Sequence, residues 1–225
     1  HPAGKISESN ALTNNQDPKH WRMRIHPNFY CTHSVGPLLT ITGLRPKSVV
    51  GFNTNPGLRG KSVGIEMVTL ENGAILRSVH GAFRHHSITY QINGTFGTFE
   101  ANRKSEIGVT LHPDPEVEGS VDYYVPDFPV ENDLGQQIET HHGSDYYPTH
   151  FFVEKIRGNN LYDEWLIDVY LGVDMMLCGL MAQRSVINGN VSVEIPDFRL
   201  KEARDKYRND FETHMKPMPY KEEDR

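Results

Sequence analysis

Tyr30 and His33 are the residues of this chain whose types and spacing most directly suggest chemistry. A histidine titrates near neutrality and a tyrosine hydroxyl can donate or relay a proton, which together suit acid–base work on a hydroxyl or on the carbon beside it. Residues three apart share a face where the backbone is helical, so both side chains can reach one group if this segment forms a helical turn. The same spacing also fits a quieter arrangement, in which His33 caps a helix and Tyr30 is half-buried in the core. Cys31 lies close by, but alternation along the chain points it away from His33. It reads as a small buried wall residue rather than a nucleophile.

Other candidates are more scattered. His85 and His86 open a strand, where neighbouring side chains face opposite sides of a sheet, so one of them, taken as His86, can reach a cleft while the other meets solvent. The chain has 12 histidines, and His80, His85, His86, His141 and His142 are the candidates for a metal set. No pair among them has helical i, i+4 spacing or an accompanying acid, so no metal is expected. Trp21, Arg22 and Arg24 could form an aromatic and cationic rim for a sugar, with Trp21 and Arg24 the stronger pair; they could equally anchor an N-terminal arm.

The elements that must position these groups follow from patterning. Residues 1–20 are polar and read as an arm or linker. Residues 21–200 read as one domain, and residues 201–225 as a terminal helix and charged tail. A short helix is expected from near Ser34 to a stop at Gly43, with Pro37 in its first turn. A strand over 48–52 follows, then a hairpin of 62–70 with 74–82 whose Glu71-Asn72-Gly73 turn supplies positive φ angles. Strands at 86–93 and 95–101 lead to Val109 and Leu111, and a proline- and acid-rich loop is expected to continue through Pro129. Helices are expected over 146–157, 169–187 and 199–214. Grouped antiparallel strands and segregated helices indicate an α+β fold, an open and mainly antiparallel β-sheet with helices packed on one face. No strand leads into a Gly-x-Gly-x-x-Gly turn and helix, so no Rossmann unit is visible.

Composition narrows the partners. With 225 residues the chain can bury a sizeable core, and its formal net charge of -6 offers no basic stripe for a nucleic-acid backbone. The apolar run from Val169 to Leu180 is interrupted and falls short of the roughly 20 residues of a membrane span, so a soluble protein is expected; nothing fixes its compartment. Its two cysteines, Cys31 and Cys178, permit one long-range disulfide but do not require it. The opening His1-Pro2-Ala3-Gly4 shows no signal peptide.

Three segments together resemble the C-terminal domain of the glucose-fructose oxidoreductase / inositol dehydrogenase (Gfo/Idh/MocA) family. They are Phe29-Tyr30-Cys31-Thr32-His33-Ser34-Val35-Gly36-Pro37-Leu38-Leu39, the stretch from Tyr90 to Glu100 around Gly94-Thr95-Phe96-Gly97, and a closing pattern from His142-Gly143-Ser144 through Asp168, Asp174 and Ser185 to Val193-Glu194-Ile195-Pro196-Asp197-Phe198. The resemblance implies that His33 is the catalytic histidine and that this sheet domain faces a carbohydrate. Dehydrogenases of the family usually carry acidic residues around that histidine. Here Phe29 and Gly36-Pro37 stand at those places, and the Tyr-x-Thr-His-like segment is instead similar to the family's NAD-dependent glycosidases, which oxidise a sugar hydroxyl transiently to eliminate a glycoside.

The resemblance also implies that His142 lies beside the cleft, and that Tyr146, Tyr147 and His150 only pack their helix. NAD or NADP is implied for the complete enzyme, bound by a Rossmann domain in cis or in trans rather than by this chain. A homo-oligomer formed through the sheet is implied as well. The alternative is a noncatalytic carbohydrate-binding or oligomerisation module.

Overall fold

The computed structural model describes residues 25–54, 63–81, 90–101, 107–111, 119–125, 131–132, 134, 136–138 and 145–212. The chain divides into two compact units, one from residues 1–84 with 170–225 and the other from residues 85–169.

The first unit begins at a 3-10 turn, Pro27–Tyr30, entered from an extended His26 with proline in its first turn. Cys31 is itself in the right-handed helical region, so the turn runs directly into helix α1, Thr32–Thr42. Cys31, Val35 and Leu39, spaced by four, are fully buried and form the inward stripe. The helix stops where expected: Gly43 takes φ 63°, and its N–H returns to the Leu39 carbonyl at 2.9 Å. The start differs from expectation, because α1 begins at Thr32 and Pro37 lies inside it. Pro37 therefore has no N–H to offer the His33 carbonyl one turn back.

Strands β1 (Pro46–Asn53), β2 (Val63–Leu70) and β3 (Ile75–Gly81) form an antiparallel sheet, and β8 (Val193–Glu194) joins it in the order β3-β2-β1-β8. The β2–β3 hairpin closes as the sequence implied, although only Gly73, at φ 88°, takes a positive angle. Asn72 contributes through its side chain, which accepts the Ala74 N–H at 2.9 Å. Burial alternates strictly along β2 and β3, with Gly64, Glu66, Val68 and Leu70 facing the same side as Leu76, Ser78 and His80.

That inner face meets α1 and the helix α3 (Val169–Ile187), whose Met175, Leu177, Cys178, Met181 and Ala182 are buried. Glycines set how near the elements come. A Cβ on Gly51 would lie 2.2 Å from the Ala182 carbonyl oxygen, so α3 rests its backbone on β1. Beyond β8 the exposed edge of β1 is paired by side chains: Ser185 Oγ accepts the Gly51 N–H at 3.0 Å, and Asn190 Nδ2 donates to the Gly51 carbonyl at 2.6 Å. Residues 163–187 are long and apolar enough to cross a membrane by length and composition. Within them, however, α3 buries Asp174, Gln183 and Ser185 along with its apolar side chains, as a core helix does.

The closing segment works structurally. Asp174, 2% exposed, receives Arg199 Nη1 at 2.8 Å, and Arg199 also reaches Asp197 at 3.3 Å. The last helix, α4, spans Lys201–Tyr207. It is shorter than the expected run to His214, and residues 208–212 are not helical.

The second unit holds strands β4 (Tyr90–Gly94), β5 (Gly97–Ala101), β6 (Ile107–Leu111) and β7 (Ser120–Tyr124) in a sequential antiparallel sheet. Strand β7 occupies part of the stretch expected to be loop. Helix α2 (Tyr147–Ile156) and a 3-10 turn at Asp163–Trp165 complete it. Every strand pair described is antiparallel, giving the expected α+β class. Among the described residues no parallel βαβ unit occurs.

Candidate functional site

The continuous path from Pro27 to Thr42 realises the helical spacing on which a Tyr30–His33 pairing depends. Tyr30 closes the 3-10 turn and His33 is the second residue of α1. Tyr30 is 38% exposed and His33 is also exposed. Neither is sealed in the core. Cys31 between them turns inward, where its thiol approaches the Met175 carbonyl at 3.4 Å. Burial pushes its pKa up to about 12, with Glu66 adding to the rise, so the thiol stays protonated and unreactive at neutral pH. Cys178 is also buried and free, its pKa well above the ordinary thiol value through burial.

The turn that carries Tyr30 is docked from below. Asn28 is fully buried, and a Cβ on Gly179 of α3 would sit 2.0 Å from the Asn28 carbonyl oxygen. Of the groups nearest to it, sequence reasoning missed Glu66 and named His80 only within a metal set. Glu66 is 0% exposed and lies 3.2 Å from His80 Nε2. This approach is close but poorly aligned, and both carboxyl oxygens and Nε2 lack a well-formed hydrogen bond.

Burial pushes the Glu66 pKa up to about 8, against a smaller opposing pull from the Ser78 hydroxyl. Burial lowers His80 to about 4; the Pro27 carbonyl opposes this and His33 reinforces it. Near neutral pH the pair is therefore a carboxylic acid beside a neutral imidazole. That His33 acts on His80 electrostatically places the buried pair within reach of the surface candidate.

Four expected site residues, Trp21, Arg24, His86 and His142, lie outside the described residues, as do Arg22, His85 and His141. Among the described residues no group of three His, Cys, Asp or Glu side chains comes together to hold a metal. In the second unit, His150 stacks on Tyr146 at 5.3 Å and meets Tyr162 edge-on at 5.3 Å, while Phe151 stacks on Tyr162 at 5.0 Å. This is the packing arrangement expected of that Tyr-x-x-His repeat.

Residues 62–205, more than half of the chain, match the family profile described as Glycosyl hydrolase 109, C-terminal domain. The chain belongs to this glycosyl hydrolase 109 C-terminal domain family. The match bears out the resemblance to the glycosidase branch of the Gfo/Idh/MocA proteins, and it begins after Tyr30 and His33, whose case rests on geometry. No curated protein matches the glycosyl hydrolase 109 domain in sequence.

Among solved structures, it is similar to an oxidoreductase domain protein from Kribbella flavida, at 17% identity and TM-score 0.50 over 73% of this chain and 48% of that one. Apo levoglucosan dehydrogenase gives 16% identity and TM-score 0.51 over 77% of this chain and 55% of that one. The same enzyme in complex with NADH and levoglucosan gives 16% identity and TM-score 0.50 over 81% and 56%. These likenesses establish the fold, and the glycosyl hydrolase 109 domain spans about half the length of these structures. A dinucleotide-binding unit has a glycine-rich turn opening a helix behind a parallel strand, and the described residues build none.

Proposed function

We propose that this chain is the substrate-facing C-terminal domain of an NAD(P)-dependent carbohydrate oxidoreductase, of the kind that couples sugar oxidation to glycoside cleavage. The cofactor would be held by a Rossmann domain outside these residues. The exposure of Tyr30 and His33, three residues apart along a continuous helical path, supports this reading. In it, the His33 imidazole takes a proton from the sugar hydroxyl or the adjacent carbon, and the Tyr30 hydroxyl holds and relays it. Trp21, Arg24, His86 and His142 would orient the sugar. Levoglucosan dehydrogenase, which shares this fold, was solved with a sugar and NADH together, and the glycosyl hydrolase 109 family match favours cleavage over simple dehydrogenation.

The test joins the chain to its cofactor-binding half and substitutes His33→Ala. Loss of a proton-transfer group should lower turnover by about a hundredfold or more, and turnover that stays at the unmodified level would remove His33 from the mechanism. Exchange of a sugar carbon-bound proton with solvent is expected for elimination, whereas accumulation of NADH would indicate dehydrogenation.

A further inference from the structure

Close to His33, the inner face of the first sheet changes from apolar to polar. The strand register aligns Val49 with Val68 and Val68 with Leu76, all apolar. The next two inward rows are Gly51, Glu66, Ser78 and then Asn53, Gly64, His80. A fully buried carboxyl on such a face is costly unless its neighbours compensate it. Here the neighbours form a chain. Glu66 Oε1 lies 3.2 Å from His80 Nε2, His80 Nδ1 lies 3.2 Å from Ser78 Oγ, and Ser78 Oγ lies 2.7 Å from Ser34 Oγ. Ser34 Oγ also donates to the Cys31 carbonyl at 2.9 Å. Because Ser34 spends its proton on the Cys31 carbonyl, Ser78 donates to Ser34 and accepts from His80, so the two serines connect the pair to α1 when Nδ1 of His80 carries the proton.

Asn28 joins the cluster from the 3-10 turn. A Cβ on Gly64 would fall 2.1 Å from Asn28 Oδ1 and 2.7 Å from His80 Nε2, so the glycine makes room for the two to converge. The Asn28 amide atoms, both Glu66 oxygens and His80 Nε2 are buried without a well-aligned partner. Such groups persist where the surrounding structure holds them in place.

We propose that Glu66 and His80 are positioning residues for His33, a buried acid–imidazole pair that fixes the entry into α1 through Ser78, Ser34 and Asn28. Ser34 follows His33 directly, so a rotation of the first turn of α1 that swings His33 must break the Ser34–Ser78 bond. Both serines are bonded on the sheet side, which ties the surface histidine to a rigid strand rather than to a loop. The titratable groups facing the pair are His33 from α1, Cys31 at its start and Cys178 from α3. The Pro27 carbonyl faces His80 from the turn. Both thiols are held protonated by burial.

The inference rests on the reading of His33 given above, but its test does not require turnover. In the full chain labelled with nitrogen-15, Ser78→Ala and His80→Phe should each displace the His33 imidazole resonances and leave those of His150, in the other unit, unmoved. Glu66→Gln should leave His33 in place at neutral pH, because an amide reproduces the shape of an uncharged acid. His33 resonances unchanged in a folded Ser78→Ala chain would overturn the proposal, and so would a Glu66→Gln displacement as large as that of His80→Phe. Ser78→Ala removes one oxygen and keeps the test open if His80→Phe fails to fold. With the cofactor-binding half attached, Ser78→Ala should lower kcat by about ten- to a hundredfold while KM holds, as expected for misplacement of a catalytic group. An unmodified protein without turnover would sink the functional reading, while the His33 displacement would still establish the positioning role.

Discussion

Glu66 and His80 depart from their ordinary pKa values in opposite directions, and the sign of each fixes a pH window for stability. Glu66, raised by burial from 4.5 to about 8, holds its proton more tightly in the folded chain. Its contribution is complete below pH 4.5 and is lost as pH rises through about 8. His80, lowered chiefly by burial from 6.5 to about 4, must be neutral to fold. Its contribution is present above pH 6.5 and is lost as pH falls through about 4.

Between 4.5 and 6.5 the two slopes oppose each other, and above 6.5 only the Glu66 decline remains. For one proton its limiting slope is about 1.4 kcal/mol per pH unit. Glu66→Gln should therefore flatten the fall in urea-unfolding stability between pH 6.5 and about 8. A Gln variant that declines as steeply as the parent would show that the proton belongs elsewhere. Glu66 was not legible as a site in the sequence, and His80 entered only as one of five histidines considered for a metal. Strand β2 has apolar residues in both phases, with Ile65 and Met67 opposed to Val68 and Leu70, so alternation alone could not show that Glu66 points inward. The spacing of Tyr30 and His33 was read as helical, and the backbone over that stretch is helical.

Elements with their own stop signals were the ones the sequence placed well. Gly43 ends α1 and the Asn72-Gly73 turn closes β2 on β3, each through local backbone chemistry. Strand β7 was hidden in a proline- and acid-rich context, because its pairing with β6 is a tertiary fact that propensity does not carry. The expected final helix ran too far: Asn209 and Asp210, weak helix formers, follow Arg208, and the helix ends at Tyr207.

The docking of the turn at 27–30 on α3 yields a prediction of unusual sign. Glycine to alanine inside a helix ordinarily stabilises by about 1 kcal/mol. At Gly179 the new Cβ would lie 2.0 Å from the Asn28 carbonyl oxygen and 2.7 Å from Cys31 Sγ. Gly179→Ala should therefore destabilise by about 1–3 kcal/mol through overpacking, in spite of the propensity gain. Denaturant unfolding measures this directly, and a stabilised variant would mean that the turn does not rest on α3.

At the scale of the whole molecule, the described residues cover the first sheet on one side only. Its inner face meets α1 and α3, whereas its outer face keeps Phe52, Ile75 and Val79 exposed at 43%, 58% and 44%. The register sets Phe52 beside Ile65 and Ile65 beside Val79, so these residues form one apolar row across three strands. Contiguous apolar surface of this kind is unfavourable in water and marks an association face, which is the physical basis for proposing that the chain self-associates through the sheet. A charge placed in the middle of such an interface has no partner, and desolvating it costs more than the contact returns. Val79→Lys is exposed in the single chain, so it should leave the thermal midpoint of an isolated protomer nearly unchanged. In sedimentation velocity it should convert the associated species to a monomer at concentrations where the parent remains associated. A parent that sediments as a monomer, or a Val79→Lys chain that stays associated, would assign this face to another partner.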